Sequence, residues 1–345
     1  MEPQQAAGKP ARQDRAPGWL DRLRSRGRDA QQAGARPAPG RVAVVTDSAA
    51  AVPAAWAAAH AATLAIVPMP VMIDGQMYTE GLDDVETELA LALALGKPVQ
   101  TSRPAPGLVL RTYRRLAEAG FEEIVSLHLS AKLSGTVDAA RWAAEEAPVP
   151  VTVVDSATVG LAQGFAVMDA VAAAEAGLSA SAVAEAAARA GDNTIGFVVP
   201  SLEQLRKGGR INAAASMFGT LLAVKPLLAV ADGQIVVREK VRTLPRALVR
   251  LVALSRERAA DLPGGARVAV QYFGNDEQAR ELVHELAGSA AEPVLCEPLP
   301  AVLAAHTGAG VLAVVVAGLP GPASGGPAPA VPGASDGQGS ATPAA

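Results

Sequence analysis

The stretch EIVSLHLSAKLSGT, from Glu123 to Thr136, decides the fold of this chain. Its first half is an apolar run typical of a buried β-strand, and a helical pattern begins at Thr136. Hydroxyl side chains gather at the junction between the two, at Ser130, Ser134 and Thr136. A strand that passes into a helix in this way is the unit of a parallel sheet covered by helices. The stretch therefore predicts an α/β protein.

The same alternation of strand and helix extends from residue 41 to about residue 190. It predicts an N-terminal domain, 41–190, built on a largely parallel sheet flanked by helices. The predicted strands are 41–46, 65–73, 123–129 and 150–154, and the predicted helices are 82–95, 106–119, 136–146 and 160–176.

The rhythm changes after Gly191, which indicates a second domain, 191–318. Asp232-Gly233 is a strong turn signal between two short apolar runs, 227–230 and 235–239, and it predicts a hairpin. A hairpin beside further strands and helices is typical of a mixed-sheet α/β domain. The further strands are 194–199, 267–272, 293–298 and 311–316, and the helices are 201–207, 212–222, 244–260 and 276–288.

The two ends of the chain have the composition of disordered tails. Residues 1–40 carry eight Lys and Arg against four Asp and Glu, with many Pro and Gly, and 319–345 is almost wholly Gly, Pro, Ala and Ser. The patch Trp19 to Arg24 fits either a basic amphipathic turn with transient membrane contact or a solvated tail. Because we find neither a signal peptide nor a spanning segment, we expect a cytoplasmic protein without stable membrane insertion.

Composition limits the function further. Half of the 345 residues are hydrophobic but only 3% are aromatic, so the interior must consist mainly of Ala, Val, Leu and Ile. A net charge of -4 offers no general basic field for nucleic acid. Cys296, the single cysteine, excludes an internal disulfide framework and a cysteine-based structural zinc site. We expect no metal and no cofactor.

Two hydroxyl clusters are the main candidates for a binding site. Thr101 and Ser102 precede a predicted helix, while Ser130 and the Ser134-Gly135-Thr136 triplet follow a predicted strand. Hydroxyls and backbone N–H groups at helix N-termini bind a carboxylate or phosphate, although ordinary helix capping explains them equally well. The second cluster lacks both the P-loop pattern and the G-x-S-x-G pattern of a nucleophile elbow.

Four further positions have both a functional and a structural interpretation. Asp47-Ser48 lies at the carboxyl edge of the predicted sheet, where ligands bind, or else caps the next helix. Arg210 follows a Gly pair and either orients a loop, an acidic partner or a phosphate, or belongs to a helix C-cap, and Arg242 after the hairpin is similarly ambiguous. His306 is predicted in a Gly-rich loop, where a lone histidine is usually structural.

Taken in order, these segments resemble the DegV family from about residue 41 to residue 318. The ordered combination is far more specific than any one motif. The matching motifs are Thr46-Asp47-Ser48 with Pro53; Val67-Pro68 through Met77-Tyr78; Thr101-Ser102-x-Pro104; Ser130 with Leu133-Ser134-Gly135-Thr136; Asp155-Ser156; Leu202 with Leu205-x-Lys207-Gly208-Gly209-Arg210-Ile211; Lys225-Pro226-Leu227-Leu228; Val241-Arg242-Thr243; and His306-x-Gly308-x-Gly310.

The resemblance implies a two-domain fold with one long-chain fatty acid buried between the domains. In such systems a separate ATP-dependent kinase phosphorylates the bound carboxylate to an acyl phosphate, so the binding protein has no catalytic residue of its own. The roles it implies are carboxylate binding by Thr101 and Ser134 with neighbours Ser102 and Ser130; a pocket edge of Asp47, Ser48, Gly135 and Thr136; and kinase docking or phosphate contact by Arg210, Arg242 and His306.

This chain departs from the usual family pattern around His306. Ala305 stands where a Thr is usual, and Ala309 stands where a Pro is usual between the glycines. Two rival hypotheses stay open. One is an enzyme acting on a small carboxylated or phosphorylated substrate through Asp47, Ser134 and His306, and the other is a regulatory interaction protein whose lipid only fills space.

Overall fold

The computed structural model describes residues 42–80, 83–211 and 225–320. The predicted tails, the patch at Trp19 and the helix predicted at 212–222 lie outside these ranges. The strands are β1 (Val42–Asp47), β2 (Leu64–Val67), β3 (Pro70–Ile73), β4 (Gln76–Thr79), β5 (Val99–Thr101), β6 (Glu123–His128), β7 (Val151–Asp155), β8 (Thr194–Val198), β9 (Lys225–Ala231), β10 (Gln234–Val241), β11 (Ala266–Phe273), β12 (Leu295–Pro298) and β13 (Val311–Gly318).

The helices connect these strands and cover the sheets. They are α1 (Ala54–Ala59), α2 (Val85–Ala94), α3 (Pro106–Glu118), α4 (Thr136–Glu145), α5 (Leu161–Glu175), α6 (Ala180–Ala188), α7 (Glu203–Lys207), α8 (Leu244–Ala260), α9 (Asp276–Leu286) and α10 (Ala301–Thr307). None of the described helices is both long and apolar enough to cross a bilayer.

The first sheet is parallel throughout, with strand order β2-β1-β6-β7. Both of its faces are buried because successive side chains of a strand point to opposite sides. Val42 and Val44 pack against α5 and α6 on one face, whereas Ala43 and Val45 pack against α3 and α4 on the other. The all-apolar core of β1 follows from this double burial.

The second sheet is mixed, with strand order β10-β9-β8-β13-β11-β12. Its neighbours are antiparallel except β11 and β12, which run parallel. Helices α8 and α9 cover one face. The other face, which includes Phe197, Ala313 and Val315, joins α5 and α10 in a central apolar cluster. The α/β fold with a parallel sheet and a mixed sheet is confirmed, while the domain boundary near residue 190 stays a prediction.

A buried ion pair links the helix of the first sheet to a strand of the second. The Arg267 guanidinium on β11 donates to both carboxylate oxygens of Asp169 on α5, at 2.7 Å each. Its Nε donates to the Gly318 carbonyl, and its charge lies 4.7 Å from the centre of the Phe165 ring. This arrangement satisfies the guanidinium on three sides, as a buried charge requires.

Several predicted elements need correction. The single strand predicted at 65–73 is two strands in different sheets, because Pro68 and Pro70 cannot supply ladder N–H groups and redirect the chain. The second of these, β3, forms a small antiparallel sheet in the order β4-β3-β5, of which the sequence analysis found neither β4 nor β5. Helices α6 and α10 were also missed, so His306 lies in the last turn of a helix and not in a loop.

Candidate functional site

A cavity lies between the mixed sheet, the small sheet and the loop that precedes α4. It contains about 760 Å³ of space free of protein atoms, counted together with the open space at its mouth. Its walls are mainly aliphatic. They consist of Met69, Thr101, Ser102, Leu129, Leu133, Ser134, Val159, Ile195, Phe197, Leu205, Arg210, Val230, Ile235, Leu299, Val302, Leu303, His306, Thr307, Val311 and Ala313.

The polar lining residues come from separate elements. Thr101 ends β5, Ser134 lies in the loop before α4, and His306 belongs to α10. The Thr101 hydroxyl and His306 Nε2 are hydrogen-bonded at 2.8 Å, and the Ser134 and Thr136 hydroxyls are hydrogen-bonded at 2.8 Å. The tertiary structure thus brings two hydroxyl groups that are distant in sequence to one cavity.

The environment of His306 keeps its imidazole neutral. Burial, and to a smaller extent the positive charge of Arg210, lowers the pKa of His306 to about 4. The ring lies so close to Gly208 that a Cβ at this position would collide with Nδ1. This close approach explains the first glycine of the Gly208-Gly209 pair, while Gly209 itself has a positive φ of 68°.

Arg210 lines the cavity and is held there by backbone carbonyl groups. Its Nε donates to the Leu133 carbonyl at 3.1 Å and its Nη1 to the Gly208 carbonyl at 2.5 Å. The helix C-cap interpretation also holds, since α7 ends at Lys207 and Gly208 is its cap. The two interpretations are therefore compatible, because the turn that ends α7 carries Arg210 into the cavity.

Several predicted site residues lie elsewhere. Ser130 does not line the cavity, because its buried hydroxyl donates to the Gly233 carbonyl at 2.7 Å and holds the turn between β9 and β10. Gly135 and Thr136 are likewise absent from the lining, although the Thr136 hydroxyl bonds that of Ser134. Arg242 is exposed after the end of β10 and outside the cavity.

Asp47 and Ser48 border a different cleft and are not among the residues that line this cavity. They act on it indirectly. Asp47 accepts hydrogen bonds from the N–H groups of Ala49 and Leu129, at 3.1 and 3.0 Å, and the first of these is the predicted cap. Ser48 accepts from the N–H of Met69 at 3.1 Å. Leu129 and Met69 are both lining residues, so this pair positions part of the wall.

Asp47 also belongs to a fully buried chain of side chains. His128 bonds Asp47 at 2.9 Å and the Ser126 hydroxyl at 2.8 Å, and Tyr113 donates to that hydroxyl at 2.8 Å. The order Asp, His, Ser resembles a hydrolase triad. However, Asp47 and His128 have no exposed side-chain surface, and none of the three lines the cavity. The structure therefore separates Asp47 from Ser134 and His306, the other two residues of the enzyme hypothesis.

The apolar walls of the cavity are not predicted by any sequence motif. Ile195 and Phe197 on β8 and Val230 and Ile235 beside the hairpin turn carry no motif, since their pattern indicates only a buried strand. Within the described ranges, no group of three or more His, Cys, Asp or Glu is arranged to hold a metal ion. The fold and the site together define an α/β protein with a mainly aliphatic cavity whose wall also carries a few polar side chains.

Comparison with known proteins gives the family. The profile described as an uncharacterised protein of the DegV family matches residues 41–318. A DegV domain-containing protein of Streptomyces coelicolor is 46% identical over 282 residues, which are 80% of this chain and 98% of that protein. The chain belongs to the DegV family.

Solved structures agree in fold. A DegV family protein from Thermus thermophilus, described by its fatty acid binding, has a TM-score of 0.75 at 32% identity and covers 81% of this chain and 100% of its own. DegV from Bacillus subtilis, described as a fatty acid binding protein, has a TM-score of 0.71 at 29% identity and covers 80% and 98%.

Proposed function

We propose that this protein binds a long-chain fatty acid, with the acyl chain in the aliphatic cavity and the carboxylate at its polar end. The observation that carries the proposal is a mainly aliphatic wall that also contains Thr101, Ser134, Arg210 and His306. Thr101 bonds His306, whose pKa Arg210 lowers, and Arg210 bonds the carbonyl of Leu133 beside Ser134. The fatty acid binding of the relatives from Thermus and Bacillus supports it.

The acyl chain supplies most of the affinity. Burial of each CH₂ group contributes about 0.8 kcal/mol, so a long chain outweighs a head group whose hydrogen bonds contribute about 1 kcal/mol each. The polar end therefore sets the direction in which the ligand lies. Such a division suits a carrier that must release its ligand intact.

Thr101 and Ser134 are the proposed carboxylate donors. Since His306 is neutral, its Nε2–H donates to the Thr101 hydroxyl in this proposal, which leaves the Thr101 hydrogen free for the ligand. The position of His306 in the cavity wall supports this positioning role better than the docking role inferred from the family. Ser102 is an exposed residue at the rim of the cavity, and the Ser130 hydroxyl already donates to the Gly233 carbonyl.

We further propose that a separate ATP-dependent kinase phosphorylates the bound carboxylate, which places the protein in the cytoplasm. The exposed Ser102 at the rim makes the polar end accessible from outside, and the exposed Arg242 is a candidate contact for the kinase. Incubation of the loaded protein with ATP should give acyl phosphate only when the kinase is added. Acyl phosphate formed without it would favour the enzyme hypothesis.

Native mass spectrometry of the protein purified from bacteria tests the lipid. A co-purifying long-chain fatty acid is expected, and an empty protein that also fails to bind added palmitate or oleate would contradict the proposal. The double variant Thr101→Val/Ser134→Ala should bind palmitate roughly thirtyfold more weakly, because two hydrogen bonds of about 1 kcal/mol each are lost. The matched control Thr243→Val/Ser181→Ala changes two exposed hydroxyls outside the cavity and should bind normally.

A further inference from the structure

Helix α10 forms part of the cavity wall and is too short to hold its position alone. It has seven residues, and four of them, Val302, Leu303, His306 and Thr307, line the cavity. Isolated helices shorter than about 12 residues are marginal in water, so tertiary contacts must fix such a helix. Whatever holds α10 therefore also determines the shape of the cavity.

The small sheet holds α10 near both of its ends. Near the N-terminus of the helix, the Val302 N–H donates to Glu80 Oε1 at 3.2 Å, and Glu80 directly follows β4. Near its C-terminus, His306 bonds Thr101, which ends β5. Since β4 and β5 are the two outer strands of this sheet, the two bonds attach α10 to both of its edges.

The Glu80 carboxylate makes this attachment at a cost. Its second oxygen, Oε2, is buried and makes no hydrogen bond with the described residues. Burial raises the pKa of Glu80, the nearby Ser48 hydroxyl and the N–H groups of Val302 and Ala301 offset this only in part, and the negative charge of Glu86 adds to the rise. An ionised Glu80 is therefore an unfavourable group in the position from which it holds α10.

The surroundings of Glu80 supply no positive charge. Glu80 borders the same cleft as Asp47 and Ser48, and among the described residues of this cleft none is Lys, Arg or His. Its other carboxylates are those of Asp47, Asp83, Asp84, Glu86 and Glu297. The three aspartates accept hydrogen bonds from backbone N–H groups, Glu86 is exposed, and burial raises the pKa of Glu297.

We propose that Glu80 is a positioning residue that sets how fast the ligand enters and leaves, because its carboxyl group holds α10 over the cavity while its negative charge favours release of the helix. The inference rests on the proposed fatty-acid binding and adds to it a residue that controls exchange. Displacement of α10 gives the ionised carboxylate access to water, whereas a protonated Glu80 keeps the bond to Val302 without a buried charge.

The sign of the pH effect follows from this difference. The pKa of Glu80 is raised while α10 is held in place and returns to its ordinary value when the group is hydrated. The closed position therefore binds a proton more tightly, so it is favoured as the pH falls and weakened as the pH rises through the pKa of the buried group. His306, whose pKa is about 4, stays neutral between pH 5 and pH 8.

Stopped-flow displacement of cis-parinarate, a fluorescent fatty acid, by excess oleate measures the exchange. Glu80→Gln keeps an acceptor oxygen for the Val302 N–H and removes the charge. At pH 8 the unmodified protein should release the probe about threefold or more faster than Glu80→Gln, and this ratio should decrease toward one as the pH is lowered to 5. The probe titrates alike with both proteins, so the change in the ratio belongs to Glu80.

Glu80→Ala removes the acceptor as well as the charge. It should release the probe about fivefold faster than Glu80→Gln at both pH values, because a hydrogen bond of about 1 kcal/mol is lost. Glu86→Gln removes a charge that raises the pKa of Glu80 and should move the pH dependence to lower pH. Glu292→Gln, at an exposed position before β12, is the matched control and should keep the rates of the unmodified protein.

The outcomes separate this inference from the proposed function. Equal rates for the unmodified protein, Glu80→Gln and Glu80→Ala would overturn the role of Glu80 and leave fatty-acid binding intact. A faster release from Glu80→Gln than from the unmodified protein at pH 8 would also overturn it. An unmodified protein that binds neither cis-parinarate nor palmitate would overturn both proposals. If Glu80→Ala fails to fold, the rate ratio for Glu80→Gln decides.

Discussion

At the scale of the residue, His306 shows how burial determines chemical role. The same imidazole that the sequence places before a glycine-rich segment is enclosed by α7 and α10 and bonded to Thr101. Desolvation and Arg210 lower its pKa to about 4, so it serves as a neutral hydrogen-bond partner at physiological pH. A charged histidine would be repelled by the positive charge of Arg210.

This shift predicts a pH dependence of stability. Between about pH 6.5 and pH 4 the histidine is protonated in the unfolded chain and neutral in the folded protein, so unfolding takes up a proton. The free energy of unfolding should therefore fall by up to about 3 kcal/mol as the pH is lowered through this window. Urea unfolding of His306→Gln should show a smaller loss. The control His284→Gln, at an exposed position, should unfold with the original pH dependence.

Asp47-Ser48 shows how a polar pair can serve the backbone and not a ligand directly. A short polar pair at the carboxyl end of a parallel strand is equally suited to a ligand and to backbone N–H groups. In this protein the N–H groups of Ala49 and Leu129 donate to Asp47, and the N–H group of Met69 donates to Ser48. The capping interpretation of Asp47 is confirmed, and the pair also supports the cavity wall through Leu129 and Met69.

At the scale of the element, α5 connects the two sheets. One side packs on β1, and Asp169 from the same helix reaches Arg267 on β11. The pair is almost fully buried, with about 10% of each side chain exposed. In such a site the two charges are held by each other and by the surrounding dipoles.

Breaking this pair should destabilise the protein strongly. Asp169→Asn keeps the shape of the side chain but leaves the Arg267 charge buried without its counter-ion. We expect a loss of about 3 kcal/mol in the free energy of unfolding, measured in urea. Asp138→Asn removes an exposed pair with Arg141 and should cost less than about 1 kcal/mol. Equal losses for both variants would show that the buried pair between α5 and β11 stabilises the protein no more than an exposed ion pair does.

At the scale of the whole molecule, the cavity exists because three parts of the fold meet without filling the space between them. These parts are the mixed sheet, the small sheet and the loop before α4. The wall of the cavity includes β13, β8, α10 and the loop before α4, which are separated by up to about half of the chain. Ala313 on β13 is a small buried residue facing this space. A ligand that fills the cavity links these parts and should stabilise all of them together.

Ala313→Leu tests this view. The larger side chain projects into the cavity, so the variant should fold with a change in stability within about 3 kcal/mol and lose most of its palmitate affinity. Palmitate at 100 times the dissociation constant should stabilise the unmodified protein by about 2.7 kcal/mol and the variant by much less, as measured by thermal unfolding. Ala188→Leu, at an exposed helix position, should keep the full palmitate effect. Full stabilisation of Ala313→Leu would place the ligand elsewhere.

The sequence by itself determined the class of fold, the order of most elements and the family. These follow from local periodicity, from turn residues such as Asp232-Gly233 and from short motifs kept in order, all of which act over a few residues. It also identified Thr101, Ser134 and Arg210 as candidate residues of a binding site. Only the tertiary structure decided which of the candidates meet. In the folded protein His306 bonds Thr101, Ser130 bonds the Gly233 carbonyl, and Asp47 bonds His128. Such contacts between distant segments depend on tertiary packing, which local sequence patterns do not predict.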